Sequence, residues 1–321
     1  MPNQTKITKI ADLIRSGSRF LVTAHEHPDG DALASTLALA NALREQGRDV
    51  IAFNRDTVPA DLEFLPGSDS VRQSLPDAEW DVGFVLDAGD LKRVGADVKA
   101  CCKDLVNIDH HPYSEQFGVV NLVDTEAAAT GILIYHLLKT LDWPISGDVA
   151  LCIYTAILSD TGSFRYSNAN REAFAVAGEM VELGVDPWAV ASGLYESQEE
   201  MRLRLLGHSL PTLAVSSCGR IAAMAVTEEM MAETGAAQEH TDRFINYPRS
   251  VRGVEVALFF RETGPSRYKV GFRSKGNVDV GALARELGGG GHHNAAGASV
   301  EGDLATIQHQ VFTRLQALLP V

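Results

Sequence analysis

Two α/β domains are the architecture this sequence predicts, and three observations carry that expectation. Strand-length apolar runs alternate with longer Ala/Leu-rich helical runs as far as Leu183, the pattern of a mostly parallel sheet flanked by helices. Beyond Pro211 the apolar runs become β-rich, after a charged intervening stretch. The length, 321 residues, exceeds one ordinary domain.

Residues 20–24 form a short apolar strand leading into His25, and residues 31–45 have helical spacing closed by Gly47 as a C-cap. Residues 49–53, 82–86 and 105–108 are further strands, the last two running into Asp87 and Asp109. Residues 125–141, 147–158 and 170–183 read as helices, and Gly184-Val185-Asp186-Pro187 breaks that pattern. Residues 188–210, carrying Glu196, Glu199, Glu200, Arg202 and Arg204, read as one charged helix. Strands follow at 213–215, 221–226, 254–261 and 268–273, then a helix at 280–287 and four glycines. The expected division is 1–187 as the first domain, 188–211 as a helical connector and 212–321 as the second. In open parallel sheets ligands bind beyond the carboxyl ends of strands. His25, Asp87 and Asp109 all fall there.

Composition narrows the function. Apolar residues make up 45% and charged residues 22%, a globular balance. No run approaches the ~20 apolar residues of a membrane span, and Met1-Pro2-Asn3-Gln4-Thr5-Lys6 lacks a signal-peptide core. Cys101 and Cys102 are adjacent while Cys152 and Cys218 stand alone, so neither a disulfide framework nor a CxxC metal pattern is present. A cytoplasmic protein without a membrane partner is expected. The net charge of −14 argues against coating long nucleic acid. Residues 1–211 hold 17 Lys/Arg against 31 Asp/Glu and residues 212–321 hold 11 against 11, so the acidic excess is N-terminal. Some of those carboxylates suit metal ligands, whose charge divalent cations offset.

Four Asp/His clusters carry the chemistry. His25-Glu26-His27-Pro28-Asp29-Gly30-Asp31 follows the first strand, Asp87-Ala88-Gly89-Asp90 the third, Asp109-His110-His111 the fourth, and Ser159-Asp160-Thr161-Gly162 a helix. Imidazoles mixed with carboxylates suit hard divalent cations such as Mn²⁺ or Mg²⁺. A site for two of them implies hydrolysis of a phosphate ester or anhydride. Single clusters have plainer readings: Asp31 could simply N-cap its helix, and Asp87 could form a turn. Asp160 at a helix C-terminus opposes the helix dipole, a cost that a cation offsets. In the second domain Arg273, with Ser274 after it, suits bidentate phosphate contact. Gly288 to Gly291, followed by His292, His293, Asn294, Ala295, Ala296 and Gly297, offers exposed amides and close approach to a ligand.

In this order the motifs resemble the DHH phosphoesterase superfamily, with Asp109-His110-His111 as the signature triplet. The C-terminal half resembles the DHHA1 domain, marked by the Gly289-Gly290-Gly291-His292 string running to Gly297. The compact arrangement is similar to the bifunctional oligoribonuclease/pAp phosphatase group, the nanoRNases. The strings Asn246-Tyr247-Pro248-Arg249-Ser250 and Arg273-Ser274-Lys275-Gly276 are typical of that group. The resemblance implies an N-terminal DHH domain with a mostly parallel sheet flanked by helices, a smaller α/β DHHA1 domain, and a cleft between them.

It also implies roles. His25, Asp29 and Asp87 would hold one metal; Asp31, Asp87, His110 and Asp160 would hold the second, with Asp87 bridging. Asp109 would orient the His pair, and His111 would face the substrate phosphate. Arg273, Ser274, Gly289, Gly290, Gly291, His292 and Asn246 would bind the nucleotide. His293 stands where the family often has Arg or Pro, and register favours His292 as the inward histidine. The implied reaction is two-metal hydrolysis, with Mn²⁺ favoured over Mg²⁺ or Co²⁺. Its substrates would be RNA chains of two to about five nucleotides, cut to 5′-mononucleotides, and pAp, cut to AMP.

Other readings are ranked lower on residue grounds. A cyclic-dinucleotide or linear dinucleotide phosphodiesterase, acting in second-messenger turnover, shares the motifs, but its well-known membrane forms add sensory segments. A RecJ-like exonuclease on long single-stranded DNA calls for a basic groove. A pyrophosphatase or exopolyphosphatase would lack the glycine-string domain, and a non-enzymatic nucleotide-binding regulator would be expected to substitute a ligand position. A homodimer is compatible with the sequence, which leaves the oligomeric state open.

Overall fold

The computed structural model describes residues 2–291 and 293–319. The chain divides into two compact units, Met1–Ser197 and Gln198–Val321.

The first unit begins with α1 (Pro2–Ser16), then β1 (Arg19–Ala24), α2 (Gly30–Glu45) and β2 (Asp49–Phe53). After a long irregular stretch come β3 (Trp80–Leu86), β4 (Cys102–Asp109) and β5 (Val120–Val123). Four helices complete it: α3 (Thr130–Leu141), α4 (Gly147–Asp160), α5 (Arg171–Glu182) and α6 (Pro187–Tyr195). The sheet has the order β2-β1-β3-β4-β5 and every pairing is parallel. Strands covered on both faces read as continuous apolar runs, which is why β1 and β3 are buried almost throughout. One core packs α1 through Ile7, Ile10 and Ile14 with α2, α3 and α4; a second, around Phe53, Trp80, Val85 and Leu105, fills the opposite face. Helix α2 is buried around nearly its whole circumference, so its Ala/Leu composition reflects packing on all sides. Because all five strands run the same way, their carboxyl ends deliver His25, Asp87 and Asp109 to one edge.

The second unit opens with α7 (Glu200–Ser209), so the expected single charged helix is two, with the break at residues 196–199. Next come β6 (Ala214–Val215), β7 (Ile221–Val226), α8 (Glu228–Thr234), α9 (Asn246–Ser250), β8 (Val256–Gly264) and β9 (Arg267–Ser274). The unit ends with α10 (Val280–Glu286), β10 (Gly290–Gly291), β11 (Ala295–Glu301) and α11 (Leu304–Leu318). Its sheet has the order β10-β11-β9-β8-β7-β6, antiparallel except for β7 beside β8. One face packs Leu258, Phe260, Val270 and Phe272 against α10 and α11. The other covers β7 and β8 with Leu205, Phe244 and Ile245. Among the described residues no helix is long and apolar enough to cross a membrane.

Candidate metal centre

His25 follows β1, and its Nδ1 donates to the Glu26 carbonyl at 2.7 Å, which leaves Nε2 facing Asp87 Oδ2 at 4.0 Å. Asn54 fixes the same turn by donating to the His25 carbonyl. Asp29, not Asp31, caps α2: its Oδ1 accepts the Asp31 and Ala32 amides. Asp31, in the first turn of α2, is buried. It accepts the Ser35 hydroxyl at 2.8 Å and the amides of Thr130 and Gly131 at 2.6 and 3.1 Å.

Asp87 follows β3 with φ at +55°, a left-handed conformation that Asp tolerates better than most side chains. Strain of this kind persists where surrounding structure fixes it, often at functional sites. Here the Asp87 amide donates to the Ile108 carbonyl and the Thr130 hydroxyl donates to Asp87 Oδ1 at 3.0 Å. Asp109, fully buried, accepts the Gly89 amide on Oδ2 and both the amide and Nδ1 of His111 on Oδ1. Burial opposes ionisation there, but the His111 bonds outweigh it and hold the Asp109 carboxyl well below its usual range. His110 donates Nδ1 to the Ala127 carbonyl at 3.1 Å. Its Nε2 faces Asp87 Oδ1, Asp31 Oδ2 and Asp160 Oδ2 at 3.4, 3.7 and 3.8 Å.

Asp160 ends α4, ahead of three successive left-handed residues, Gly162, Ser163 and Phe164. The Thr161 hydroxyl donates to Ile157 and accepts the Phe164 amide, tying this turn back to the helix. Asn168 Nδ2 donates to Asp160 Oδ2 at 3.0 Å, and its buried Oδ1 has no hydrogen-bond partner among the described residues.

The expected ligands therefore converge. His25, Asp29 and Asp87 form one close group, and Asp31, His110 and Asp160 another; Asp87, His110 and His111 form a third. Asp87 divides its oxygens, Oδ2 toward His25 and Oδ1 toward His110. The electrostatics suit cations. Burial, with the neighbouring carboxylates, raises Asp87 well above the usual range. Burial also raises Asp31, and it lifts Asp160 to about 7 even with His110 nearby. His110 is pushed up by Asp31 and Asp160 despite its burial, whereas burial lowers His25. With Nδ1 committed to a carbonyl, a neutral His110 would point a lone pair at three carboxylates. A cation removes that conflict, so these residues fit divalent metals.

Sequence reasoning missed Thr130, Asn168 and Asn54. A Thr before a Gly at a helix start carries a capping signal. Nothing local marks Thr130 as the partner of Asp31 and Asp87.

In the second unit Arg273 lines a concave trough of about 280 Å³ together with Arg243, Arg261, Lys269, Gly271 and Gly297. Ser274 lies beside it but is buried, its Oγ accepting the Gly276 and Val278 amides. Asn246 begins α9 and is not among the trough residues. Gly289 and Gly291 are pressed against β11: an added Cβ would meet the Gly297 oxygen at 2.1 Å or Ala296 Cα at 2.4 Å. Gly290 has open space. His293 Nε2 donates to the Gly276 carbonyl at 3.1 Å, and His292 lies outside the described residues.

Comparison with known proteins agrees with this layout. Residues 19–157 match the N-terminal domain of the DHH family and residues 219–317 match the DHHA1 domain. A Thermus thermophilus protein named bifunctional oligoribonuclease and PAP phosphatase NrnA is 34% identical, covering 92% of this chain and 89% of its own. A Bacillus subtilis protein of the same name is 28% identical, over 90% and 92%. The crystal structure of an exopolyphosphatase-related protein from Bacteroides fragilis superposes with a TM-score of 0.89 at 30% identity, covering 98% of this chain and 96% of its own.

Proposed function

Because this chain belongs to the DHH family, with a DHHA1 domain at its C-terminal end, we propose that it hydrolyses short oligoribonucleotides to 5′-mononucleotides and pAp to AMP. The carrying observation is the divided carboxylate of Asp87. One oxygen faces the His25 group and the other faces the His110 group, the disposition of a ligand shared between two cations. His25, Asp29 and Asp87 would hold one cation, and Asp31, Asp87, His110 and Asp160 the other. The ligand mix favours Mn²⁺, with Mg²⁺ and Co²⁺ as alternatives. When bound, such a pair supplies an acidified water and draws charge from the phosphoryl oxygens.

The chain's own groups do the rest. Asp109 fixes the His111 ring through Nδ1 and so directs the Nε2 edge of that ring. In this reading that edge serves the phosphoryl group, where a positioned donor offsets developing charge. Thr130 and Asn168 hold Asp87 and Asp160 in place, so the carboxylates need little reorganisation on binding. Arg273, in its trough, binds a phosphate of the nucleotide. The relatives named as oligoribonuclease and PAP phosphatase support this substrate class.

The test is a metal-dependence assay with a 5′-phosphorylated dinucleotide, a cyclic dinucleotide, pAp and pyrophosphate side by side. Mn²⁺-dependent release of mononucleotide from the linear dinucleotide, with AMP from pAp, is the expected result. Pyrophosphate as the preferred substrate would overturn the assignment.

A further inference from the structure

Resting on the oligonucleotide reading above, we propose that Lys269 and Arg261 form a further phosphate subsite, separate from Arg273, that ranks substrates by their number of phosphates. The argument starts from register. Lys269, Gly271 and Arg273 alternate along β9, so their side-chain positions share one face of the sheet. Lys269 lies directly across from Arg261 of β8, and Gly271 lies between Phe259 and Gly297. Like charges directly opposite on neighbouring strands destabilise a sheet. The chain nevertheless keeps a Lys and an Arg in that relation, on the wall of one trough.

The Arg261 guanidinium is also under-used. Nη1 reaches the Gln238 carbonyl and the Thr241 hydroxyl only at 3.3 and 3.4 Å, and the buried Nε has no hydrogen-bond partner among the described residues. An anion between Lys269 and Arg261 relieves the repulsion and gives the outer nitrogens of the Arg261 guanidinium, held only by long contacts at Nη1, a charged acceptor. Arg243 adds a further cation to the trough lining and Asp242 its one carboxylate, so the site stays strongly positive.

Spacing separates this subsite from the Arg273 end. Positions 269 and 273 are four residues apart on a strand, roughly 13 Å between Cα atoms, which sets the Lys269–Arg261 pair and Arg273 at separate stations along the trough wall. Gly271 and Gly297 add no side chain of their own between the two ends, and Ile245 and Phe259 line that stretch as an apolar surface for the nucleoside that links two phosphates. Counting then fixes the length dependence. A 5′-phosphorylated dinucleotide has a scissile phosphate and one more, which Arg273 takes. A 5′-phosphorylated trinucleotide has a third for Lys269 and Arg261.

The experiment is equilibrium binding by fluorescence anisotropy, on the full chain in chelator, with labelled 5′-phosphorylated di- and trinucleotides across a salt series. Lys269→Ala should weaken the trinucleotide about tenfold more than the dinucleotide, the loss of one charge-assisted contact. Its log–log salt slope for the trinucleotide should fall by about 0.7, one phosphate's share on a single strand. Lys269→Arg should restore both. Equal losses on the two lengths, no loss at all, or a wild type that does not prefer the trinucleotide would each overturn the proposal, as would a loss that Lys269→Arg does not repair. Because binding is read without hydrolysis, failure of the enzymatic reading shows separately, as absent turnover in Mn²⁺ with the length preference intact.

Discussion

Asp31 caps a helix to which it does not belong: its Oδ2 accepts the amide of Thr130, the first residue of α3, at 2.6 Å. Ala129, the N-cap residue of that helix, makes no side-chain cap of its own, so a candidate metal ligand supplies the cap. The same Thr130 donates its hydroxyl to Asp87. One threonine thus ties together carboxylates from the two groups.

Thr130→Val keeps the shape and the amide but removes the hydroxyl bond to Asp87. Groups that orient a ligand are commonly worth 10–100-fold in metal affinity or activity. We expect Mn²⁺ affinity to fall at least about tenfold by titration calorimetry, with a matching loss of dinucleotide hydrolysis. Unchanged Mn²⁺ affinity would show that this hydroxyl serves only the helix start.

Chelation should abolish turnover, and Mn²⁺ should restore it better than Mg²⁺, since the ligands mix imidazole with carboxylate. Asp87→Ala should be the most damaging single change, because its two oxygens face both groups. Full activity in excess EDTA would end the two-metal reading.

The metal-free protein should become more stable as pH falls from 8 to 6. Burial lifts Asp160 to about 7, well above an unfolded carboxyl, so its ionisation works against the fold and protonation through pH 7 relieves that cost. Asp87 and Asp31, also raised, act in the same direction. His110 is raised too; its stabilisation is complete below the unfolded histidine value and is lost as pH climbs through the folded one. These four agree in sign, and His25, lowered by burial, opposes them only as pH falls through the unfolded histidine value. In chelator, Asp87→Asn should therefore raise the thermal midpoint by a few degrees at pH 8, about 2–4 °C per kcal/mol for a chain of this class. With Mn²⁺ present the pH trend should reverse, because protons compete with the metal for its ligands. Calorimetric scans at pH 6, 7 and 8, with and without Mn²⁺, read both effects.

Arg273→Ala should raise KM for a dinucleotide while Mn²⁺ uptake stays intact, since the guanidinium lies in the trough of the second unit and outside the metal-ligand groups. On wild-type enzyme, efficiency should be highest from two to about five nucleotides. An acidic N-terminal half and a neutral C-terminal half supply no long cationic track. A time course on 5′-labelled RNAs of two, five and about twenty-four residues decides this; fastest decay of the longest strand, with steep salt sensitivity, would indicate a processive exonuclease instead.

The parallel sheet was legible because its strands end in chemistry: apolar runs stopping at His25, Asp87 and Asp109 announce both fold and site. The expected helix from residue 125 fails for a physical reason. Ala127 and Ala128 give their carbonyls to His110 and Asn168, so that Ala-rich stretch serves the site and α3 starts at Thr130. β5 is only four residues long with a polar Asn121, too short for a periodicity signal. The break between α6 and α7 carries no Gly or Pro to mark it. Helix α1 was readable from Ile7, Ile10 and Ile14 at helical spacing, yet it lies upstream of the motifs that drew the reading. The Asp31–Thr130 bond spans 99 positions and depends on the folded arrangement of α2 and α3.

The glycine string offers the last test, because its members have different jobs. Gly289→Ala would drive a methyl into the Gly297 oxygen, and Gly291, at φ +138° and hard against Ala296, has no room either. Both substitutions should loosen β10 from β11, lower the thermal midpoint and weaken nucleotide binding together. Gly290 has open space and an ordinary backbone conformation, so Gly290→Ala should fold with an unchanged midpoint. If the string also admits a nucleotide closely, Gly290→Ala will raise KM for the dinucleotide several-fold at constant stability, since a methyl then occupies the ligand's approach. Thermal scans and steady-state kinetics on the three variants separate packing from contact. A Gly290→Ala enzyme with wild-type KM would assign the whole string to strand packing and leave Arg273 and its trough to hold the substrate.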